Sequence, residues 1–367
     1  MSIRVHILTP GFTSPNGTAF LFPLHVHRGR LSDLEIRFRC LTHRSPEVAD
    51  CDVLIIDNCF YLRRWARDES AALDEIAGYA ERVGAVLYFD PSDSTGWLQP
   101  QVLPFVTRYY KPQLLKDRAG YLHPHYGNRI YADYYHRVFG VEDDEPVVSR
   151  PVASADDVAK LRVSWHSGLA DYSLWGLARM GLRRYLSFDS LLAFPRSFTS
   201  VRQPRPVGVA CRFGVAYDRD TVAFQRRRIR ETLGQGLPTQ KLGRRAYFAE
   251  MRAARIVVSP FGYGEITLKD FEALLCGALL LKPDMAHLET WPDLFRDGQT
   301  IATHRWDLSD VERVLDAMLA DDARREEMAE RGQALYRRYI ASEQGYEEFC
   351  LRFREIVDDA VRASVVG

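Results

Sequence analysis

The chain has no surplus of charge of either sign. Its 367 residues carry 49 lysines and arginines against 49 aspartates and glutamates. Bulk capture of nucleic acid needs a clustered excess of Lys and Arg, so no nucleic-acid partner is expected. No window approaches about 18 consecutive apolar residues, so no transmembrane helix is expected either. The N-terminal "MSIRVHILTPGF" is cut short by Pro10 and Gly11 and has no signal-peptide pattern. No two cysteines have CxxC spacing. Cys40, Cys51, Cys59, Cys211, Cys276 and Cys350 are scattered, several of them inside apolar runs. They read as buried free thiols in a reducing cytoplasm. No tract is of low complexity.

What is present is a regular alternation of apolar runs and amphipathic stretches. "IRVHILTP", "CDVLIID" (ending near Asp57) and "GAVLYFD" (ending at Asp90) read as strands, and residues 68–82 have helical spacing. Continuous apolar strands between helices imply a parallel sheet covered on both faces. Residues 141–158 read as a polar excursion, and "LRVSWHSGLADYSLWGLARMG" as loop and helix. "FPRSFTSVRQPRP", residues 194–206, reads as a linker. The pattern then restarts with "VGVACRF", a basic helix "DTVAFQRRRIRETL", the helix "RAYFAEMRAA", and the strands "RIVVSP", "GALLLKPD" and "QTIAT". From Asp307 onward the chain is helical. The expected architecture is α/β, with two Rossmann-like doubly wound domains facing across a cleft. The expected division is 1–198, 199–340, and a terminal helix, 341–367, packing back on the first domain. Ligands of such sheets bind beyond the carboxyl ends of strands.

The most informative stretch is "SPFGYGEITLKDFEALLCGALLLKPD", Ser259 to Asp284. If a helix begins just after Gly264, about 100° per residue puts Lys269 near 40° and Glu272 near 340° from Glu265. Leu268, Phe271, Leu275 and Ala278 then form the opposite, buried face. Gly262, Tyr263 and Gly264 would let backbone N–H groups approach a diphosphate at the helix N-terminus. Glu272 could accept hydrogen bonds from ribose hydroxyls, with Glu265 near the sugar. The plain alternative is an exposed Glu265–Lys269 i,i+4 pair.

The whole segment resembles the donor-binding segment of GT-B glycosyltransferases, including retaining family-4 enzymes. In these a glycine-bearing loop leads to a helix with an acid and then a second acid before a small-residue turn, here "FEALLCG". Something of the same pattern occurs in exostosin-type domains. The resemblance implies that Glu272 binds the ribose of a nucleotide sugar and that Gly262 and Gly264 line its diphosphate. Six residues separate Glu265 from Glu272, where the family has seven. Anchoring on Glu272 therefore puts Gly264 at the first acid's place, and the stereochemical outcome stays open. The resemblance is strongest over residues 205–330. "ILTPGFTSPNG", with Gly17, also looks like the first strand and glycine loop of GT-B acceptor domains, and in that fold the last helices cross back to the first domain.

Other candidates follow from strand ends and basic loops. Arg212 ends "VGVACRF", and Lys241, Arg244 and Arg245 lie in "TQKLGRRAYF". Each suits a phosphate contact or a solvated basic face, the latter above all for "QRRRIRE". Asp90 and Asp93 follow a buried strand, where an acid serves as general base or as a turn cap. His125 stands in a Tyr- and His-rich loop with His123 and His136, without metal-ligand spacing. His287, Glu289 and Trp291 either close over a donor or anchor packing.

The expectation is a cytoplasmic hexosyltransferase-type enzyme moving a sugar from a nucleotide-diphosphate-sugar to an acceptor hydroxyl, in glycan or surface polysaccharide biosynthesis. The acceptor would be a glycan, lipid-linked or protein substrate. No metal or other cofactor is expected, and peripheral contact at the inner face of a membrane is left open. Its rivals are a GT-B epimerase or phosphorylase and a non-catalytic nucleotide-sugar-binding protein.

Overall fold

The computed structural model describes residues 2–186, 188–234 and 237–366. The first sheet has six parallel strands: β1 (Ile3–Leu8), β2 (Ile36–Leu41), β3 (Val53–Asp57), β4 (Ala85–Phe89), β5 (Arg108–Lys111) and β7 (Leu161–Val163). Between the last two lies β6 (Gln113–Leu115), which stands outside this sheet. The order is β2-β1-β3-β4-β5-β7, so the chain reverses direction of growth between β1 and β3. Every residue of β3 and β4 is buried, as expected where helices cover both faces. β2 is different. "IRFRCL" alternates buried and exposed positions and forms the sheet's edge.

The second sheet has four parallel strands in the order β12-β10-β9-β8. These are β8 (Val207–Ala210), β9 (Ala254–Val258), β10 (Leu279–Pro283) and β12 (Ala302–His304). The short β11 (Leu288–Thr290) leaves this domain and pairs antiparallel with β6 of the first, Glu289 opposite Leu114. A strand shared in this way ties the domains by main-chain hydrogen bonds. The apolar core also runs continuously through both, with Tyr131 against Phe261 (ring centroids 5.1 Å) and Tyr172 against Phe271 (5.3 Å). Loop 287–291 is thus a packing element. Glu289 pairs with Arg118, and Trp291 lies under Arg352.

The chain ends in two long helices, Asp322–Ala341 and Glu343–Val366. The last one returns to the first sheet. Arg352 donates to the carbonyls of Val163 (2.6 Å) and Ser164 (3.1 Å), and Asp359 accepts from Arg108 (2.9 Å). Two Rossmann-like sheets with a terminal helix crossing back constitute the GT-B architecture.

The informative segment folds differently in one respect. Its helix runs from Leu268 to Cys276, not from Gly264, because Thr267 caps it. Thr267 and Asp270 form a reciprocal capping box, and Gly277 ends the helix at φ 65°. Glu265 therefore lies in the turn before the helix and shares no helical face with Glu272. Asp270 also accepts from Ser259 Oγ (2.6 Å) and from Lys282 Nζ (2.9 Å), both carboxylate and ammonium being sealed from solvent. Removing one member of such a pair strands the other charge in the interior. Asp270→Ala is expected to cost about 3–5 kcal/mol in urea-melt stability. A loss under about 1 kcal/mol would show that Lys282 finds another partner or gives up its proton.

Candidate functional site

The glycine-bearing turn Phe261–Glu265 follows β9 and faces the first domain. Its polar groups are held from that side. Arg129 Nε donates to the Tyr263 carbonyl (2.6 Å), and Tyr131 Oη donates to the Gly262 carbonyl. The Gly262 N–H closes on the Gly264 carbonyl (2.9 Å). A Cβ on Gly264 would stand 2.3 Å from the Asp93 carbonyl oxygen. Gly264 is glycine because the first domain's backbone touches it. Glu265 is fully buried at the same seam, where its Oε2 accepts from the Thr95 N–H (3.1 Å) and its Oε1 has no partner. Its expected place beside a donor sugar is therefore corrected to a place inside the domain contact.

Three cations surround this turn. Arg226 donates to the Phe261 (2.8 Å) and Gly214 (3.0 Å) carbonyls, and its guanidinium lies over Tyr217 (4.7 Å). An ideal Cβ on Gly262 would be 3.6 Å from Arg226 Nη2. Lys269 donates to the Arg212 carbonyl and lies over Phe213 (5.3 Å). Arg129 reaches in from the other domain, its guanidinium over Tyr263 (5.2 Å). Among the described residues none of the three has a carboxylate within ion-pair distance, although Arg129 and Arg226 are buried. Burial, and then the charge of Arg226, push Lys269 down to about 8. Leaving buried cations unneutralised costs several kcal/mol. Such an arrangement can take a multivalent anion.

Sequence reasoning passed over Arg226 by treating "QRRRIRE" as a solvated face. The signal was in the spacing. Val222, Arg226 and Ile229 share one face of the helix Asp220–Thr232, and all three are buried. The cation that was expected here, Arg212, is engaged elsewhere, with its fork bidentate on Glu250 (2.6–3.0 Å). Arg244 is likewise committed, to Glu272 (3.0 Å) and to the carbonyls of Ser173 and Leu174. Lys241 is exposed in the loop before that helix, and Arg245 is exposed with its guanidinium over Trp175 (5.4 Å).

Glu272 lies 4% exposed beneath Arg244 and Tyr247 Oη (2.8 Å). Each oxygen has one partner, so lone pairs remain for further donors. Burial raises its pKa, against the pull of Arg244.

On the first-domain side, Gly17 opens the helix Pro15–Val26, its N–H donating to Ser14 Oγ (3.1 Å). Asn16 beside it donates to Asp93 Oδ1 (2.8 Å), and Asp93 is exposed. Asp90 is not available as a base. It is fully buried, accepts from Tyr109 (2.7 Å), Lys111 (3.3 Å), Asn58 (2.9 Å) and Ser92, and these hold its pKa below the usual carboxylate range against burial. His125 is occupied in loop packing, its Nε2 at 2.9 Å from the Gly120 carbonyl. The structure thus brings together the glycine turn, Lys269, Glu272 and Asp93, adds Arg226 and Arg129, and sets apart Asp90, His125 and Arg212. No group of three His, Cys, Asp or Glu side chains among the described residues has metal-binding geometry.

Residues 218–350 match the protein family described as glycosyl transferase-like. That range covers Arg226 and Lys269 and is about a third of the chain. Solved structures similar in overall fold include HepE from Anabaena in complex with UDP-glucose. It has 12% identity and a TM-score of 0.46, covering 97% of this chain and 99% of that one. A glycosyltransferase from Rickettsia africae has 8% identity and a TM-score of 0.47, over 98% and 99%. An alpha-glucosyltransferase with UDP and DNA has 9% identity and a TM-score of 0.42, over 97% and 99%. A search of curated proteins finds no match.

Two outcomes follow from the electrostatics. Lys269 is charged below about pH 8 and loses its charge above it, so affinity for a nucleoside diphosphate should be greatest below that pH and fall beyond it. Calorimetric titration across that range should show the decline in wild type and a flat profile in Lys269→Met. Glu265 has its pKa raised by burial, so any stability tied to its proton is present in acid and lost as pH rises through the folded value. Glu265→Gln should therefore melt higher than wild type at pH 8 but not at pH 4. A lower melting temperature at pH 8 would mean that the carboxylate is held as a charge.

Proposed function

We propose that the protein transfers a sugar from a nucleoside-diphosphate-sugar to an acceptor hydroxyl. The observation that carries this reading is the trio of cations around the turn 261–264, Arg129, Arg226 and Lys269, which have no carboxylate partner among the described residues. The donor diphosphate would neutralise them, and Glu272, set by Arg244 and Tyr247, would accept from the ribose hydroxyls. The acceptor oxygen attacks the anomeric carbon, and the bond from that carbon to the diphosphate oxygen breaks. The electron pair leaves with the diphosphate, where the cations stabilise the growing charge. Asp93, exposed and fixed by Asn16, takes the acceptor's proton as the acceptor oxygen attacks. The six cysteines are free, in keeping with a reducing compartment and with glycan or surface polysaccharide assembly on the cytoplasmic side of a membrane.

The test is a thermal-shift and turnover screen with UDP-, GDP-, ADP-, CMP- and dTDP-sugars. One nucleotide class should raise the melting temperature, as a ligand of the folded state does. Arg226→Ala should weaken its binding by about 2–4 kcal/mol, and Glu272→Ala should also weaken it. Asp93→Asn should bind the donor normally and lose turnover. Turnover retained in Asp93→Asn would pass the proton to the leaving diphosphate instead. Binding without turnover in wild type would favour a non-catalytic nucleotide-sugar-binding protein.

A further inference from the structure

The edge strand of the second sheet, β12, lends all three of its residues to the wall of a cavity of about 660 Å³. Asp297 and Gly298 line the cavity before the strand, and Trp306 and Asp307 line it after the strand. The helix Val311–Ala320 adds Val314, Ala317 and Met318. The cavity is therefore a groove that follows the strand. Asp297, Arg313 and Ala317 are exposed, so it opens to solvent. Its inner end approaches the glycine turn without belonging to it. Trp306 and Tyr134 line the groove, their ring centroids 5.4 Å apart, and Trp306 meets Phe261 edge-on at 5.9 Å.

The lining is aromatic and polar at once. Four carboxylates, Asp284, Asp297, Asp307 and Asp310, stand with three guanidiniums, Arg305, Arg313 and Arg324. Arg305 pairs with Asp307 (3.5 Å) and Arg313 with Asp310 (3.4 Å). Asp284 and Asp297 each accept one backbone N–H, from Ala286 and from Thr303 (both 2.9 Å), and have no cation partner among the described residues. His304 adds a buried acceptor. Its Nδ1 lies 2.8 Å from the Arg305 carbonyl, which can only accept, so Nδ1 carries the proton and Nε2 is a bare lone pair. Burial keeps the ring neutral by lowering its pKa to about 4. The residue is 1% exposed, and Nε2 has no partner among the described residues. An unmet acceptor in the interior costs about 1–3 kcal/mol. A ligand hydroxyl, directly or through one water, would supply the missing donor.

We propose that this groove binds a short chain of neutral sugars, at a second glycan site apart from the glycine turn. With His304 neutral, four carboxylates outnumber three guanidiniums, so a phosphate or uronate would meet net repulsion. No group of three His, Cys, Asp or Glu side chains among the described residues has metal-binding geometry, so the carboxylates do not make a cation site. An apolar ligand would leave Asp284, Asp297 and His304 without donors. A sugar chain suits both kinds of wall. Its C–H faces lie on rings such as Trp306, and its hydroxyls donate to carboxylate and imidazole and accept from guanidinium. The volume is that of an ordinary ligand pocket and accommodates a short oligosaccharide. The choice of a glycan rests on the proposed sugar transfer, whose acceptor or product would carry such a chain. A chain held here stays on the enzyme between transfers, with Trp306 between it and the glycine turn.

The experiment is calorimetric titration of the full chain with maltotriose, cellotriose, mannotriose and N-acetylchitotriose, and with trigalacturonate as the acidic control. Binding of the nucleoside diphosphate identified above is measured in parallel. At least one neutral trisaccharide should bind, and trigalacturonate should bind more weakly. Ala317→Trp, which puts a large ring into the groove from an exposed helix position, should lose about tenfold or more of that affinity. Its melting temperature and nucleotide affinity should be unchanged. His304→Phe, which removes Nε2, should also lose about tenfold. Arg226→Ala should keep the trisaccharide while losing nucleotide, so the donor site and the glycan groove can fail independently. The proposal is overturned if no neutral trisaccharide binds, or if trigalacturonate binds as tightly as the best of them. Affinity undiminished in Ala317→Trp or in His304→Phe overturns it as well, since the sugar would then sit elsewhere.

Discussion

The turn Phe261–Glu265 can pack against the first domain only because Gly264 has no side chain. A Cβ there would collide with the Asp93 backbone. Around that contact Arg129 and Tyr131 grip the turn's carbonyls, and Thr95 donates to Glu265. The same contact sets Asp93 beside the turn and brings Arg129, a first-domain residue, to cations of the second. A site built across two domains normally depends on their closure. Here the closure is secured by the β6–β11 pairing, by one continuous core, and by the terminal helix clasping the first sheet.

The charges around the turn sort by whether they have partners. Asp90–Lys111 and Asp270–Lys282 are sealed pairs with further hydrogen bonds, so their charges are already compensated. Arg212 is likewise compensated by Glu250. Among the described residues Arg226, Arg129 and Lys269 have only carbonyls and ring faces, which orient a cation without neutralising it. Structural ion pairs and the anion site thus lie within a few residues of one another in sequence and differ in chemistry. Lys269 lies next to Asp270 in the chain, yet the Asp270 carboxylate is committed to Lys282.

Much of the fold was legible because its strands are continuous apolar runs. "CDVLIID", "GAVLYFD", "RIVVSP" and "GALLLKPD" all form parallel strands within about a residue or two of the expected ends. β2 and β5 escaped notice because "IRFRCL" and "RYYK" are interrupted by arginine or lysine. β7 escaped because three residues at a sheet edge give no period. The glycine turn, Lys269 and Glu272 were visible in one contiguous motif. Arg226 and Arg129 were not, since each owes its role to what it faces after folding. The helix start was misplaced for a local reason: the Thr267–Asp270 capping box outweighs a glycine followed by an acid, and it moves Glu265 from the helix into the domain seam.

Arg244 links the acid proposed for the donor ribose to the segment that follows the first sheet. It holds Glu272 with one nitrogen and the carbonyls of Ser173 and Leu174 with others. Those carbonyls open the stretch that leads into Trp175. A ribose would use the Glu272 lone pairs that Arg244 and Tyr247 leave free, while the other end of Arg244 sets the position of segment 173–175. Its neighbour Arg245 lies over the Trp175 ring. Two adjacent arginines on one helix thus connect the acid proposed for the donor ribose to the segment 173–175.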